Sequence, residues 1–333
     1  MVHLRIVVPA DLAPRVMDLL CGSASVLNVV HLPGASHKPE GDLVMCDVAR
    51  EDASVILGDL KEMDIPRLGS IAVENVDTAI SDAAKAAERA APGLPSDAVV
   101  WEEVEQRTSE TTELSASFVT FMVLAMQIAA VGIILDQPIL IVGAMVVGPE
   151  FGPLAAVSVA LVQRRGDLAR RSLVALCVGF PAGILITFVT VLAFKWAGLP
   201  PEDFAPDRHP LTGFISKPDF FSAFVAFVAG AAGVLSLTAA KSGALIGVLI
   251  SVTTIPAAAN IGLAAAYGDG GEAAGASGQL AINLVAIVLA GVITLFVQRR
   301  YFVARRHRHL TDPARGAAGL PMGERVKRPR ANG

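Results

Sequence analysis

Residues 148–153 read Gly-Pro-Glu-Phe-Gly-Pro, which places a carboxylate between two Gly-Pro pairs. Glu150 is the sole acidic or basic side chain in the segment Gln137–Gln163. Proline removes a backbone donor and opposes helix continuation. Irregular backbone at membrane depth survives only where protein shields it or water fills a cavity beside it. An ionisable group at the centre of a spanning segment is costly, and so points to function. A second interruption reads Gly247-Val-Leu-Ile-Ser251-Val-Thr253-Thr254-Ile255-Pro256, followed by Asn260. Pro153 follows Gly143 by ten residues, and Pro256 follows Gly247 by nine. The candidate solute or ion pathway is therefore Gly148, Pro149, Glu150, Gly152, Pro153, Thr253, Thr254, Pro256 and Asn260. Glu150 would bind a cation or proton, while Thr253, Thr254, Asn260 and backbone carbonyls freed near Gly148 and Gly152 would add oxygen ligands. The competing reading is structural: Gly and Pro are common in spanning helices, where small residues allow close packing.

The elements that must hold these residues follow from composition. The chain has 333 residues, 53% hydrophobic and 17% charged, with mean hydropathy +0.57. Soluble domains carry about a quarter charged residues. A disordered chain, a nucleic-acid-binding domain and most soluble enzymes are excluded. The three cysteines, Cys21, Cys46 and Cys177, have neither disulfide nor zinc spacing. Charge is uneven along the chain. Residues 1–115 hold 9 Lys+Arg against 20 Asp+Glu, whereas residues 116–333 hold 18 against 11. An acidic soluble part thus precedes a basic apolar part.

Runs without Asp, Glu, Lys or Arg are Leu114–Leu135, Ser172–Phe194, Phe220–Ala240, Ser242–Gly268 and Ala273–Gln298. Each reaches the roughly 20 residues that a spanning helix needs. With Gln137–Gln163 they make six spans. Basic residues mark the cytoplasmic side. Arg164, Arg165, Arg170 and Arg171 follow span two, Lys241 precedes span five, and Arg299, Arg300, Arg305, Arg306 and Arg308 follow span six. Both termini are therefore expected in the cytoplasm of a multi-pass cell-membrane protein. Three spans per half, each with its break in the middle one, suggest a 3+3 inverted repeat. Such paired interruptions point to transporter sites.

Residues 1–78 alternate between strand and helix periods. Val2, Leu4 and Ile6 mark a first strand, and Leu12, Val16, Leu19 and Leu20 a helix. Ser25–Leu32 reads as a strand with Val26, Asn28, Val30 and Leu32 on one side. Pro33–Gly41 carries turn residues, Leu43–Val48 is a third strand, Glu51–Met63 a second helix, and Leu68–Val73 a fourth strand. The order β-α-β-β-α-β predicts an α+β ferredoxin-like domain, read either as a small-ligand sensor or as a docking module. His3, His31 and His37 read as surface histidines. Residues 79–115 form a helical linker, with helices over Asp77–Ala91 and after Ser96. Residues 116–303 hold the bundle. Residues 304–333 are expected to be a basic tail without structure.

The stretch Val142–Pro153, the arginines Arg164–Arg171, Ala229-Gly-Ala-Ala-Gly233 and Gly247–Pro256 together resemble the domain-of-unknown-function 389 family, also called the uncharacterised hydrophobic protein family. The resemblance covers roughly residues 100–303. It implies this helical architecture and a small N-terminal domain, and it brings no established activity. It also implies an apolar residue or Met near the position of Glu150, where this chain departs.

The expected function is a secondary transporter or channel-like permease of unknown substrate, regulated by its cytoplasmic domain. The alternative is a non-transporting membrane-anchored sensor or oligomeric scaffold. The chain is not expected to be an enzyme, because no zinc-protease, nucleophile-elbow or phosphate-loop motif occurs. No cofactor or metal is expected. The expected partners are the lipid bilayer, a solute or ion, a small ligand at the N-terminal domain and a second copy of the chain, but no nucleic acid.

Overall fold

The computed structural model describes residues 1–76, 78–91, 93, 98–110, 112–199, 211–239 and 253–323. The chain divides into two compact units. One comprises Met1–Glu103 with Gln298–Gly333, the other Val104–Val297.

The smaller unit opens with strand β1 (Val2–Val8), helix α1 (Ala13–Gly22), strands β2 (Val26–His37) and β3 (Glu40–Val48), and helices α2 (Arg50–Glu62) and α3 (Ile65–Leu68). Strand β4 (Ser70–Asn75) and helix α4 (Asp82–Ala90) follow. The sheet order is β2-β3-β1-β4, and every neighbouring pair is antiparallel. Alternation along β1 buries Val2, Leu4, Ile6 and Val8 completely. They pack with Val16, Leu19 and Leu20 of α1 and Ile56, Leu57 and Leu60 of α2. Both helices thus cover one face of the sheet.

Strand β2 departs from its expected pattern. Asn28 takes a left-handed φ of 52°, and the pairing with β3 shifts register between Leu27 and Val30. A bulge sends subsequent side chains to the opposite face. Val30 and Leu32 are consequently 42% and 43% exposed, while Val29 packs on the core. The expected loop Pro33–Gly41 is mostly strand, and its turn is confined to Lys38 and Pro39. Of the linker, the helix expected over Asp77–Ala91 is confined to α4, capped by Ser81, whose Oγ accepts from the Ala84 N–H at 3.0 Å. The capping role given to Ser96 lies outside the described residues.

The larger unit contains most of α5 (Trp101–Glu110), then α6 (Ala116–Ile134), α7 (Pro138–Val147), α8 (Phe151–Gln163) and α9 (Gly166–Trp196). After a one-turn 3-10 helix (Gly213–Ser216) come α10 (Phe220–Thr238), α11 (Thr254–Tyr267) and α12 (Gly270–His309), the last belonging to the smaller unit from Gln298 onward. Among the described residues, α6, α9, α10 and α12 are long and apolar enough to cross a membrane. Helices α7 and α8, bent by 52° at their junction, pass together as a fifth span. Residues 242–252 of the expected run Ser242–Gly268 lie outside the described residues, Gly247 and Ser251 among them. Leu185, Val189 and Val285 are 62%, 56% and 67% exposed, as suits an apolar solvent. The helices approach closely. A β-carbon on Gly262 of α11 would lie 2.6 Å from the Ile184 carbonyl oxygen of α9.

The expectation of an unstructured tail fails for residues 304–323. They complete α12 and form a short helix α13 (Pro313–Ala317). Ala318 and Leu320 join the core of the small unit. Arg15 Nε donates to the Ala318 carbonyl at 2.9 Å. Opposite charge supplies the reason for the order. Asp59, fully buried, accepts from Arg306 at 2.6 Å and from Arg315, and lies 2.7 Å from His309 Nε2. Glu62 accepts from Arg306 at 2.7 Å and from Arg315 at 2.8 Å. The basic residues that read as a solvated tail are thus spent on the acidic face of α2.

Candidate functional site

The helices that follow the two sequence interruptions start alike. Helix α7 ends at Gly148, whose N–H donates to the Ala144 carbonyl at 3.1 Å and whose ψ of 129° turns the chain out of the helix. Pro149 has no N–H with which to continue it. Helix α8 then starts after Glu150, and Pro153 is its third residue. Helix α11 starts after Thr253, and Pro256 is likewise its third residue. Proline is tolerated there because the first-turn N–H groups have no intrahelical acceptor. Each proline therefore begins the helix that follows a break.

The two breaks meet. Thr254 Oγ1 donates to Glu150 Oε1 at 2.6 Å, and both side chains are buried, Glu150 with 3% exposure. Glu150 Oε2 is buried without a hydrogen-bond partner. It abuts the α-carbon of Gly148. A β-carbon there would lie 2.4 Å from Oε2 and 2.6 Å from Ile255 Cγ1. Gly148 is therefore required by the close approach of the second break and of the carboxylate itself.

Of the other predicted residues, Thr253 belongs to the same polar group, accepting from Asn283 Nδ2 at 2.8 Å. Asn283 Oδ1 in turn accepts from Gln279 at 3.3 Å. Gln279 and Asn283, both on α12 and each 1% exposed, are not among the residues singled out from the sequence. Two amides four residues apart on one helical face in an apolar run were the available signal. Asn260 is not part of this group. Its amide donates to Glu272 Oε1 at 3.0 Å, while its own Oδ1, like Gln279 Oε1, is buried without a partner. Glu272, near the start of α12, is thus a polar partner of α11. Pro149, Gly152 and Gly148 line a cavity of about 350 Å³, while Pro153 and Pro256 are buried.

Among the described residues, the arrangement is a carboxylate held by one neutral hydroxyl, with one oxygen unpartnered and no cationic side chain bonded to it. Chemically it can accept a proton or supply an oxygen ligand to a cation. His3 and His31 each bond a different aspartate, Asp47 and Asp42, both at 2.7 Å.

The helices and the joined breaks define the class. This is a helical protein with several membrane-span-like segments, a small antiparallel sheet domain and a polar site where the bend between α7 and α8 meets the start of α11. The family described as Domain of unknown function (DUF389) matches residues 145–289, which takes in both interruptions. The resemblance read from the sequence is borne out over those residues. The chain is also 26% identical over 195 residues to Uncharacterized protein MJ0678 of Methanocaldococcus jannaschii. That similarity spans 59% of this chain and 58% of the relative, so the chain spans little more than half of it. No solved structure matches the chain.

Proposed function

We propose that the protein is a secondary transporter or channel-like permease in which Glu150 binds a cation or proton. The observation that carries this reading is the Glu150–Thr254 hydrogen bond, which joins the α7–α8 break to the start of α11 and leaves Oε2 without a partner among the described residues. Buried polar groups are normally satisfied, so an unpartnered carboxylate oxygen calls for an occupant. Interrupted helices meeting at a buried polar site are the recurrent build of secondary transporters. In this reading the bundle has six spans in a 3+3 inverted arrangement, lies in the cell membrane and keeps both termini in the cytoplasm. The sheet order β2-β3-β1-β4 supports a ferredoxin-like domain with a regulatory role. The chain carries out no enzymatic reaction.

Proteoliposomes containing the full chain test this. Proton or sodium flux is expected, and Glu150→Gln should abolish it or its pH dependence while the protein stays folded. Unchanged flux in Glu150→Gln would overturn the assignment. The alternative, a bundle serving only as anchor or scaffold, predicts no protein-dependent flux at all.

A further inference from the structure

We infer that the cavity beside the first break binds an organic cation with an apolar body, of the alkylammonium class. The cavity holds about 350 Å³, within the roughly 300–1,000 Å³ range of small-ligand sites. Its walls include Phe118, Phe151, Ala155 and Leu237. Among the described residues, its charged lining residues are Glu110 and Glu113, and no Lys or Arg lines it. Glu110 Oε1 accepts from the neutral Gln106 amide at 2.7 Å, a bond that leaves its charge in place.

A second observation is independent of these rim carboxylates. Gly148 forms part of the wall, and the free Oε2 of the 97%-buried Glu150 side lies against its α-carbon, as the 3% residue exposure and the blocked β-carbon position show. A bound anion would face carboxylates without a compensating cation. A bare inorganic ion would exchange its water for apolar walls, and hard cations require several oxygen ligands. An alkylammonium satisfies both halves of the site. Its apolar part fills the space between aromatic and aliphatic walls, where the rings also attract cations. Its charge stays near the glutamates.

This inference deepens the transport reading and rests on it for any movement of the ligand, but binding itself does not require transport. The shared chemistry has two sources, a free solute or the choline headgroup of a lipid. The test is calorimetric titration of the full chain in an uncharged maltoside detergent. The probes are benzyltrimethylammonium and the similarly sized anion 3-phenylpropionate. Saturable binding of the cation is expected, with the anion at least about ten-fold weaker. The double variant Glu110→Gln/Glu113→Gln removes two solvent-screened charges and should weaken the cation by about ten-fold. Both positions are exposed, so its melting temperature should match the parent. A second variant, Ala155→Leu, should weaken the cation by filling the cavity.

Equal binding of the two probes, or unchanged cation affinity in both variants, would overturn the inference. Given cation binding, displacement by short-chain phosphatidylcholine assigns the site to a lipid headgroup, and persistence assigns it to a free solute. Cation binding without flux overturns the transport reading alone. Glu150-dependent proton flux without cation binding overturns this inference alone.

Discussion

Two buried carboxylates stand in opposite company. Asp59 of the small unit, with 0% exposure, is surrounded by Arg306, His309 and Arg315. Glu150 of the bundle, with 3% exposure, has only the Thr254 hydroxyl. Burying an unpaired charge is expensive, and Asp59 avoids that cost by recruiting cations from a distant part of the chain. Both of its oxygens are partnered, and the group reads as architecture. Glu150 has one oxygen without a partner and, among the described residues, no cationic side chain bonded to it, which is why the proposed function centres on it. Burial alone does not separate the two roles; the supply of partners does.

Four substitutions sharpen or break that contrast. The largest effect is expected at Asp59. Asp59→Ala removes the buried acceptor shared by Arg306, Arg315 and His309, leaving only Glu62 as a carboxylate for the two arginines, and should cost about 3–5 kcal/mol, read as a lower denaturation midpoint and faster proteolysis of residues 304–323. A change under about 1 kcal/mol would show that the ion group is not structural. Gly148→Ala comes next, at about 1–3 kcal/mol for overpacking against Ile255 and Glu150, measured by thermal unfolding in detergent. A fully stable Gly148→Ala protein would mean that Gly148 and Ile255 are less tightly apposed than the 2.6 Å clearance implies. Glu150→Gln should change stability by less than about 1 kcal/mol, because no cation is left behind. A loss like that of Asp59→Ala would erase the distinction between the two carboxylates.

The smallest effect concerns Glu51 on α2, which is buried with neither oxygen hydrogen-bonded. Burial pushes its carboxyl above the ordinary range, opposed in part by Arg305 and reinforced by Glu88 and Asp52. The stabilisation of the neutral form is complete below the unfolded-state value of about 4.3 and is lost as pH rises through the higher folded value. Glu51→Gln should therefore raise the melting temperature at pH 8 and give no gain near pH 4. A gain of equal size at both values would rule out titration of Glu51 as the cause.

Much of the architecture was legible because it depends on local pattern. The alternation of Val2, Leu4 and Ile6, the apolar runs of α6, α9, α10 and α12, and the Gly-Pro interruption at Glu150 all express constraints within a few residues. Strand β2 was misread where Asn28 adopts positive φ, because a single bulge reverses the face of every later residue. The basic tail was misread because its partners lie some 250 positions away, as the Arg306–Asp59 separation of 247 residues illustrates.

The sequence by itself determined that the chain has an acidic α+β part, a basic apolar helical part and two proline-marked interruptions. Those properties follow from composition, period and backbone chemistry, which are local. Only the tertiary structure decided that Glu150 meets Thr254, that Asn283 and Gln279 join Thr253, and that Asn260 turns instead to Glu272. Side chains on different helices carry no shared periodicity, and their pairing is set by helix packing. The same reason decided the opposite fates of two buried carboxylates, since partners brought from distant segments determine whether a charge is neutralised in place or left open to a ligand.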